Sequence, residues 1–366
     1  PTEWDTLAFE NIFLSKAYLE VLEKSAPLNM TCHFIGLFKE ETLIGIALSQ
    51  FLDLNELESF GERDQCIKTS IRNFVFRNFA SHVLFIGNNM LTGQNAFAVS
   101  KDCDVSMVLK TLQLAAVALE GIFKLKRKKV HIVTFKDFNS TEVSWFDKDQ
   151  FKAYYQFDTQ PNMVFTVDSN WKVEHDYIDA LTKKYRDQYK RARKKLIGIE
   201  KRKLCLDEIL AQEAVINDLY FHVAKHAPFN TFFLAPNHFS TFKRIFEDKF
   251  LFYGYFIDEK MIGFNTMIKN GNSLVTYFLG YDESMQREKM LYLNMLYDMI
   301  AYGIKKNYEE IIFSRTALEI KSSVGAKPIE TFGFIKHESN LLNSYMSKIF
   351  PYLEPEMIWK QRNPFQ

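Results

Sequence analysis

The stretches FIGLFKEETLIG (residues 34–45) and FYGYFIDEKMIG (residues 252–263) decide the fold of this 366-residue chain. They align without a gap, and half of their positions are identical. The identical pairs are Phe34/Phe252, Gly36/Gly254, Phe38/Phe256, Glu41/Glu259, Ile44/Ile262 and Gly45/Gly263. Each stretch has the pattern of a strand, a charged turn and a second strand entered by Ile-Gly, which is typical of a β-hairpin. The sequence therefore predicts one structural module that occurs twice.

The elements that follow each hairpin have the same predicted order. In the first half, apolar patterns predict strands near residues 83–86 and 96–99, a helix over 105–123 and a strand over 130–135. In the second half, they predict a strand over 273–280, a helix over 290–305 and a strand over 310–313. Chance similarity of two hairpins is the alternative, but the shared order downstream favours a duplication.

A basic segment lies between the two halves. Apolar and aromatic residues at helical spacing predict one long amphipathic helix over residues 176–196, with lysines and arginines on its other faces. Three interpretations stand: a solvated face whose aromatic stripe packs inward, a surface for anionic lipid headgroups or an acidic carrier protein, and a surface for tRNA. The run KLKRKK at residues 124–129 is a second basic cluster. Further helices are predicted over 207–225 and 236–248.

Four stretches carry a family resemblance: LTKKYRDQYKRARKK, LFYGYFIDEKMIGF, TYFLGYDESMQREKMLYLNMLYDMIAYGIKKNYEEIIF and KSSVGAK (residues 321–327). Together they resemble the GNAT acyltransferase superfamily, and in particular its tandem, FemAB-like branch of peptidoglycan-type aminoacyl transferases and related bacterial lipid N-acyltransferases. The resemblance implies an α/β (α+β) protein with two tandem GNAT-like domains, each a mixed twisted sheet flanked by helices. We expect the domains to span residues 1–170 and 171–366, linked by the basic helix, with the active site in the second.

The segment ESMQREKM (residues 283–290) departs from the family pattern. Simple GNAT enzymes bind the coenzyme A pyrophosphate on a glycine-rich loop ahead of the core helix, through backbone N–H groups. The corresponding loop here has Arg287 and Lys289 but no glycine. A larger donor is therefore open: a long-chain acyl-CoA, an acyl group on a carrier protein, or an aminoacyl-tRNA.

Acyl transfer to an amine needs a base, a proton donor for the leaving group and donors for the oxyanion. The candidate bases are Asp282, just after a predicted strand, and His226, just after a predicted helix. Tyr281 is a candidate to protonate a leaving thiol or to position the amine. The structural alternatives are a helix cap for Asp282, a half-buried core ring for Tyr281 and helix-end placement for His226.

Cationic side chains supply the candidate binding residues for the donor or acceptor. Arg315 and Lys321 follow the last core strand and are candidates to neutralise a phosphate or carboxylate, or are solvated surface cations. The remaining candidates are Arg287, Lys289, Lys184 and Arg186. His222 and His226 have the spacing of two metal ligands, but no third ligand is near, so we predict no metal site.

Composition limits the function classes. Forty-six basic and 45 acidic residues leave a net charge of +1, so any anion binding depends on local clusters. Four scattered cysteines predict free thiols in a reducing compartment. No signal peptide or membrane-spanning stretch is evident, so we expect a cytoplasmic protein that contacts a membrane at most peripherally.

These observations lead to a ranked set of functions. The first is an N-acyltransferase that moves an acyl group from acyl-CoA or acyl carrier protein, as cosubstrate, to a small or lipid-like amine such as a long-chain base, with no tightly bound cofactor. The second is a FemAB-like transfer from aminoacyl-tRNA to a cell-wall precursor. The third, from a different class, is a non-catalytic GNAT-fold binding module.

Overall fold

The computed structural model describes residues 2–56, 79–225, 230–348 and 359–365. The chain divides into two compact units. The first unit comprises Pro1–Gln160, Thr231–Ala235 and Glu330–Met357, and the second comprises Pro161–Asn230, Pro236–Ile329 and Ile358–Gln366.

The described helices and strands are as follows. The helices are α1 (Glu3–Leu7), α2 (Lys16–Ser25), α3 (Val105–Leu125), α4 (Glu174–Ala180), α5 (Lys183–Lys195), α6 (Leu206–Ala211), α7 (Glu213–Ala224), α8 (His238–Phe246), α9 (Glu283–Lys289), α10 (Leu291–Lys305), α11 (Leu318–Ser323) and α12 (Asn340–Ser344). The strands are β1 (Met30–Lys39), β2 (Thr42–Asp53), β3 (His82–Ile86), β4 (Phe97–Val99), β5 (Ile132–Asn139), β6 (Tyr155–Thr166), β7 (Glu200–Lys203), β8 (Phe250–Ile257), β9 (Lys260–Asn270), β10 (Ser273–Tyr281), β11 (Glu310–Ser314) and β12 (Lys327–His337).

The sheet of the first unit has the strand order β1-β2-β3-β5-β12. The strands β1, β2 and β3 are antiparallel, β3 and β5 are parallel, and β12 is antiparallel to β5. Residues 331–337 of β12 make that last pairing. Residues 331–337 of β12 therefore belong to the sheet of the first unit, whereas the predicted second domain spans residues 171–366.

The sheet of the second unit repeats this plan. Residues 163–166 of β6 pair antiparallel with β11, β11 is parallel to β10, and β10, β9 and β8 are antiparallel, with β7 outside β8. In both units a hairpin precedes a strand, a core helix and a parallel strand. The core helices are α3 and α10, so the predicted helices over 105–123 and 290–305 are confirmed to within two residues.

The two hairpins share an irregularity as well as a pattern. The register shifts between Leu37 and Phe38 in the first and between Tyr255 and Phe256 in the second, which are equivalent positions in the alignment. The ring two residues after each first-strand glycine also lies over that glycine. Bulges at matching positions support a duplicated module.

The segment predicted as one long basic helix over residues 176–196 forms two helices, α4 and α5. The prediction of a single continuous helix was therefore wrong. Leu181 and Thr182 have extended backbones between the two helices. The Thr182 N–H donates to the carbonyl of Pro364 at 2.8 Å, and Leu181 forms a bridge with Phe365. A distant part of the chain thus supplies the partners that interrupt the helix. The helix predicted over 207–225 is likewise divided, into α6 and α7.

Candidate functional site

The parallel strands β10 and β11 diverge after a short pairing. Residues 273–275 of β10 pair with residues 310–312 of β11. Beyond this pairing, β10 continues to Tyr281 and β11 to Ser314. The register of β10 against β9 shifts between Thr276 and Leu279. Residues 277–279 are half-buried, although β10 has strands on both sides. The two strands therefore separate within the sheet of the second unit.

The turn that follows β11 has a strained backbone. Ser314, Thr316 and Ala317 have φ values of 61°, 67° and 46°. A β-branched residue such as threonine rarely adopts positive φ, and strain of this kind concentrates at functional sites. This turn connects β11 to α11 at the end where β10 and β11 have separated.

The side chain of Lys321 on α11 makes hydrogen bonds to the backbone of this turn. This side chain is buried, and its Nζ donates to the carbonyl oxygens of Ser314 at 3.1 Å and Arg315 at 2.5 Å. Burial lowers the pKa of Lys321 to about 7. The neighbouring Arg315 is partly exposed, and burial of its guanidinium lowers its pKa to about 10. The structure thus brings these two predicted binding residues together, and Lys321 is not a solvated surface cation.

Tyr281 and Asp282 occupy the end of β10. Tyr281 is half-buried, its ring centroid lies 6.2 Å from that of Tyr292, and burial raises its pKa, so the hydroxyl keeps its proton. Asp282 caps α9: it accepts from the Ser284 hydroxyl and from the N–H groups of Ser284 (2.9 Å) and Met285 (3.2 Å). The Ser284 hydroxyl, with these amides, lowers the pKa of Asp282. Asp282 has the helix-cap position that the sequence allowed for.

The segment over 283–290, predicted as a loop, is the short helix α9, because Asp282 supplies its cap. It ends at Met290, which has a left-handed backbone. Arg287 is paired with Glu283, and the Lys289 Nζ lies 2.9 Å from Glu288. Both predicted binding residues therefore make local ion pairs. His226 lies outside the described residues.

The basic helix α5 packs one face inward and leaves the other exposed. Tyr185 and Ala192 are buried. Lys184 lies over the Tyr185 ring at 5.2 Å, and Arg186 donates to the carbonyl of Asp179 at 3.1 Å, so neither is brought to Lys321 by these contacts. The exposed cations of the helix are Lys183, Lys184, Lys190, Arg191, Lys194 and Lys195.

Arg193 joins α5 to a buried polar network that the sequence analysis missed. Its guanidinium donates to Glu174 at 2.6 Å and to Asp298 of α10 at 2.7 Å. Burial opposes the charge of Arg193, but Asp298 and Glu174 outweigh it and raise its pKa. Asp298 also accepts from the Tyr255 hydroxyl at 2.8 Å and lies 3.2 Å from the Lys201 Nζ. The one sequence signal was an aspartate within an apolar core helix.

Two further polar residues missed by the sequence analysis lie at the β10 bulge. The Asn265 side chain is fully buried, and its Nδ2 donates to the Tyr255 hydroxyl at 3.4 Å. Among the described residues, no hydrogen-bond donor reaches the Asn265 Oδ1. On the bulge itself, the Tyr277 hydroxyl lies 3.0 Å from Nε2 of the buried His238. These polar groups therefore lie beside the irregular part of β10.

A shallow cavity of about 410 Å³ is also present in the second unit. It is lined by Thr166, Asp168, Trp171, Ala180, Gly325, Lys327 and Phe365. Gly325 has φ 109°, and a Cβ there would meet the Phe365 ring at 2.4 Å. This glycine of KSSVGAK is therefore required by packing. Neither Tyr281 nor Asp282 lines this cavity.

Comparison with known proteins identifies the fold. No family model and no curated protein matches the sequence. Among solved structures, FemX matches 94% of this chain and 98% of its own, with a TM-score of 0.58 and 10% identity. A C-terminal domain named for lysylphosphatidylglycerol synthetase from Agrobacterium fabrum matches 94% and 96%, with a TM-score of 0.53 and 7% identity. L-PGS from Bacillus licheniformis matches 92% and 95%, with a TM-score of 0.50 and 13% identity.

These likenesses and the repeated sheet plan define the class of fold. The chain has a mixed α/β architecture in which one sheet plan occurs twice, and its fold is similar to that of FemX. The predicted resemblance and fold class are confirmed. At such low identities the likeness defines the fold, and the chemistry must be argued from the site.

Proposed function

We propose that this protein is a transferase that moves an acyl group from an activated donor to an amine, at the place where β10 and β11 diverge. The observation that carries the proposal is the buried Lys321 side chain at the strained turn where the two strands diverge. Negative charge develops on the carbonyl oxygen during acyl transfer, and a fixed donor in a site shielded from water stabilises it strongly.

The proposed step balances without a further reactant. The amine nitrogen forms a bond to the donor carbonyl carbon, and the bond from that carbon to the leaving sulfur or oxygen breaks. The amine releases one proton and the leaving group gains one. We assign delivery of the second proton to the Tyr281 hydroxyl, which burial keeps protonated, and removal of the first to Asp282 acting through water.

Lys321 is assigned the stabilising role. Its ammonium has three protons, and the described residues accept two of them through the carbonyls of Ser314 and Arg315. The third is available to the developing oxyanion or to a phosphate of the donor. Arg315, on the same turn, is the second proposed anion-binding group.

The favoured donor is a thioester, either acyl-CoA or acyl carrier protein, and the favoured acceptor is a lipid-like amine such as a long-chain base. The helix α9 supports a donor other than free acetyl-CoA, because it stands where simple GNAT enzymes have a glycine-rich pyrophosphate loop. The 35 phenylalanines of the chain suit an apolar substrate. A reducing cytoplasm remains the proposed compartment.

A second candidate is transfer from aminoacyl-tRNA. It is favoured by the six exposed cations on α5, which could contact a phosphate backbone. It is also favoured by the name of one structural neighbour, lysylphosphatidylglycerol synthetase, since that name describes an aminoacylated lipid. On this route Lys184 and Arg186 would be donor-binding residues.

A product assay with the purified full chain separates these candidates. Palmitoyl-CoA, palmitoyl-acyl carrier protein and aminoacyl-tRNA are each supplied with sphinganine or a cell-wall lipid precursor, and products are identified by mass spectrometry. An N-acylated base formed from a thioester supports the first candidate, and an aminoacylated acceptor supports the second. Absence of product from every pair, with no acyl thioester or lipid retained in native mass spectra, would leave the binding-module alternative.

Asp282→Asn tests the proposed base. Asparagine caps helices about as well as aspartate, so α9 should survive the change. Loss of turnover with an unchanged melting temperature would support the base role. Unchanged turnover would remove Asp282 from the mechanism and leave it as the cap of α9.

A further inference from the structure

The helix α3 of the first unit has two apolar faces. One face packs against the core of the unit, and the other is exposed to solvent. Among the described residues, α3 is the one helix long and apolar enough to cross a bilayer by length and composition. The covered face of α3 packs into the core of the first unit through Val108, Leu109, Leu112, Ala116, Leu119 and Phe123. A helix held in this way cannot span a membrane without dismantling that core.

The other face of α3 exposes large apolar side chains to solvent. Leu114, Val117, Ile122 and Leu125 are 64%, 56%, 45% and 86% exposed. Their spacing of three to five residues places them along one side of the helix, toward its C-terminal end. The stripe continues toward the N-terminal end through Met107, which is 65% exposed. Exposed apolar rows of this kind mark interaction surfaces.

Basic side chains continue the stripe at its C-terminal end. Lys124, Lys126 and Arg127 are exposed, and no ion pair involves them within the described part of the chain. The next two lysines are engaged: the Lys128 Nζ lies 3.1 Å from Asp53, and the Lys129 Nζ lies 2.6 Å from Glu338. Three cations beside exposed leucines match an anionic lipid surface, where headgroups meet the cations and acyl chains meet the leucines.

A second copy of this chain fits the stripe less well. Twenty-one helical residues extend about 32 Å, so a stripe about 10 Å wide would bury roughly 600 Å² in total between two copies. Stable dimers bury about 1,200 Å² or more. A bilayer has no such requirement, since affinity there comes from apolar insertion together with charge.

We infer that the exposed face of α3, with Lys124, Lys126 and Arg127, docks the first unit on an anionic membrane surface, with the helix lying in the plane of the interface. This surface is distinct from the basic helix α5, which is the more obvious cationic segment of the sequence. The inference is independent of the proposed acyl transfer, because docking needs no substrate.

Vesicle co-sedimentation of the full chain tests it. The probes are vesicles of phosphatidylglycerol mixed equally with phosphatidylcholine, and vesicles of phosphatidylcholine alone. We expect binding to the mixed vesicles that weakens as salt is raised. The variant Leu114→Asn/Leu125→Asn should bind about tenfold more weakly or worse, because binding strength follows the inserted apolar area.

Matched controls use equally exposed residues elsewhere. Leu28→Asn/Leu341→Asn removes two leucines that are 91% and 70% exposed and should bind as the unchanged chain does. Charge is tested by Lys124→Gln/Lys126→Gln/Arg127→Gln against Lys260→Gln/Lys305→Gln/Lys306→Gln, which removes the same charge from exposed positions of the second unit.

Three outcomes would overturn the inference. They are no binding to mixed vesicles, equal binding by the Leu114→Asn/Leu125→Asn variant, and equal loss of binding in the two charge variants. Light scattering that shows a dimer dissociated by Leu114→Asn/Leu125→Asn, without vesicle binding, would assign the face to a second copy instead.

Discussion

The strand that follows the core helix ends in the same backbone shape in both units, but the buried lysine near that end is engaged differently. That lysine is Lys136 of the strand itself in the first unit and Lys321 of α11 in the second. The last residue paired with the parallel neighbour is Phe135 in the first unit and Ile312 in the second. Two positions later, Asp137 and Ser314 have φ values of 70° and 61°. In the first unit the Asp137 carboxylate lies 2.7 Å from the buried Lys136 Nζ.

The second unit has a carbonyl where the first has a carboxylate. Lys321 contacts the Ser314 and Arg315 carbonyl oxygens there, and neither is charged. The first unit thus neutralises its buried lysine internally, whereas the carbonyl partners of Lys321 carry no charge. The pairing of β3 with β5 also reaches the last residue of β3, but β10 continues well past its pairing with β11. This contrast supports a site in the second unit and a structural role for the equivalent position in the first.

The largest expected effect on stability is at the internally neutralised lysine. Lys136→Met would leave the Asp137 carboxylate buried without its cation, which costs about 3–5 kcal/mol. Urea unfolding of the full chain measures this cost. Lys136→Met/Asp137→Asn should recover part of it, because asparagine tolerates positive φ and carries no charge. A cost below about 1 kcal/mol for the single change would contradict the contrast between the units.

Removal of the buried lysine of α11 should affect turnover instead. Lys321→Met removes the proposed charge-stabilising donor, and we expect turnover about 100-fold lower. Stability should change by no more than about 1 kcal/mol, because the lost hydrogen bonds are offset by the removed desolvation cost. The readout is the rate of product formation, beside the urea midpoint.

Lys243→Met is the matched control for Lys321→Met. Lys243 is also a buried lysine of the second unit that donates to two carbonyls, those of Glu247 at 2.8 Å and Phe250 at 3.2 Å. It lies at the end of α8, where the strands do not diverge. An equal loss of turnover in both variants would mean that any buried lysine matters and that Lys321 has no special role.

The sequence predicted the repeat well because the identical residues are those that the backbone needs. Gly36 and Gly254 each make room for a ring two positions later, and the shared Phe and Gly positions mark the bulge. The spacing of residues within each hairpin was enough to predict these features. The sequence also named Arg315 and Lys321 as candidates, from their position after the last core strand.

Features that depend on distant contacts were not predictable in this way. The break at Thr182 depends on Pro364, and the inward turn of Arg193 depends on Asp298. Helical periodicity within one segment contains no information about either partner. The burial of Lys321 was missed for the same reason, since lysines at a helix end are exposed by default.

The paired glycines offer a test of the duplication itself. A Cβ at Gly254 would lie 2.6 Å from the Phe256 ring, and at Gly36 it would lie 2.9 Å from the Phe38 ring. Phe256 is 4% exposed and Phe38 is 62% exposed, so only Phe38 is free to move aside. We expect Gly254→Ala to cost about 1–3 kcal/mol and Gly36→Ala much less, by urea unfolding. The reverse ranking would show that the two hairpins are not packed as the structure has them.

Lys321 should also produce a pair of opposite pH slopes. Burial lowers its folded pKa to about 7 from 10.5, so between those values the unfolded chain keeps a proton that the folded chain has lost. The free energy of unfolding should therefore rise with pH across this window, and Lys321→Met should remove that rise. Turnover should change in the other direction, because the proposed role needs the ammonium: it should fall about tenfold per pH unit above pH 7. Comparing each profile with that of Lys243→Met isolates the contribution of Lys321. If turnover and stability rose together above neutral pH, the neutral amine would be the active form, and Lys321 would act as a base instead of a charge donor.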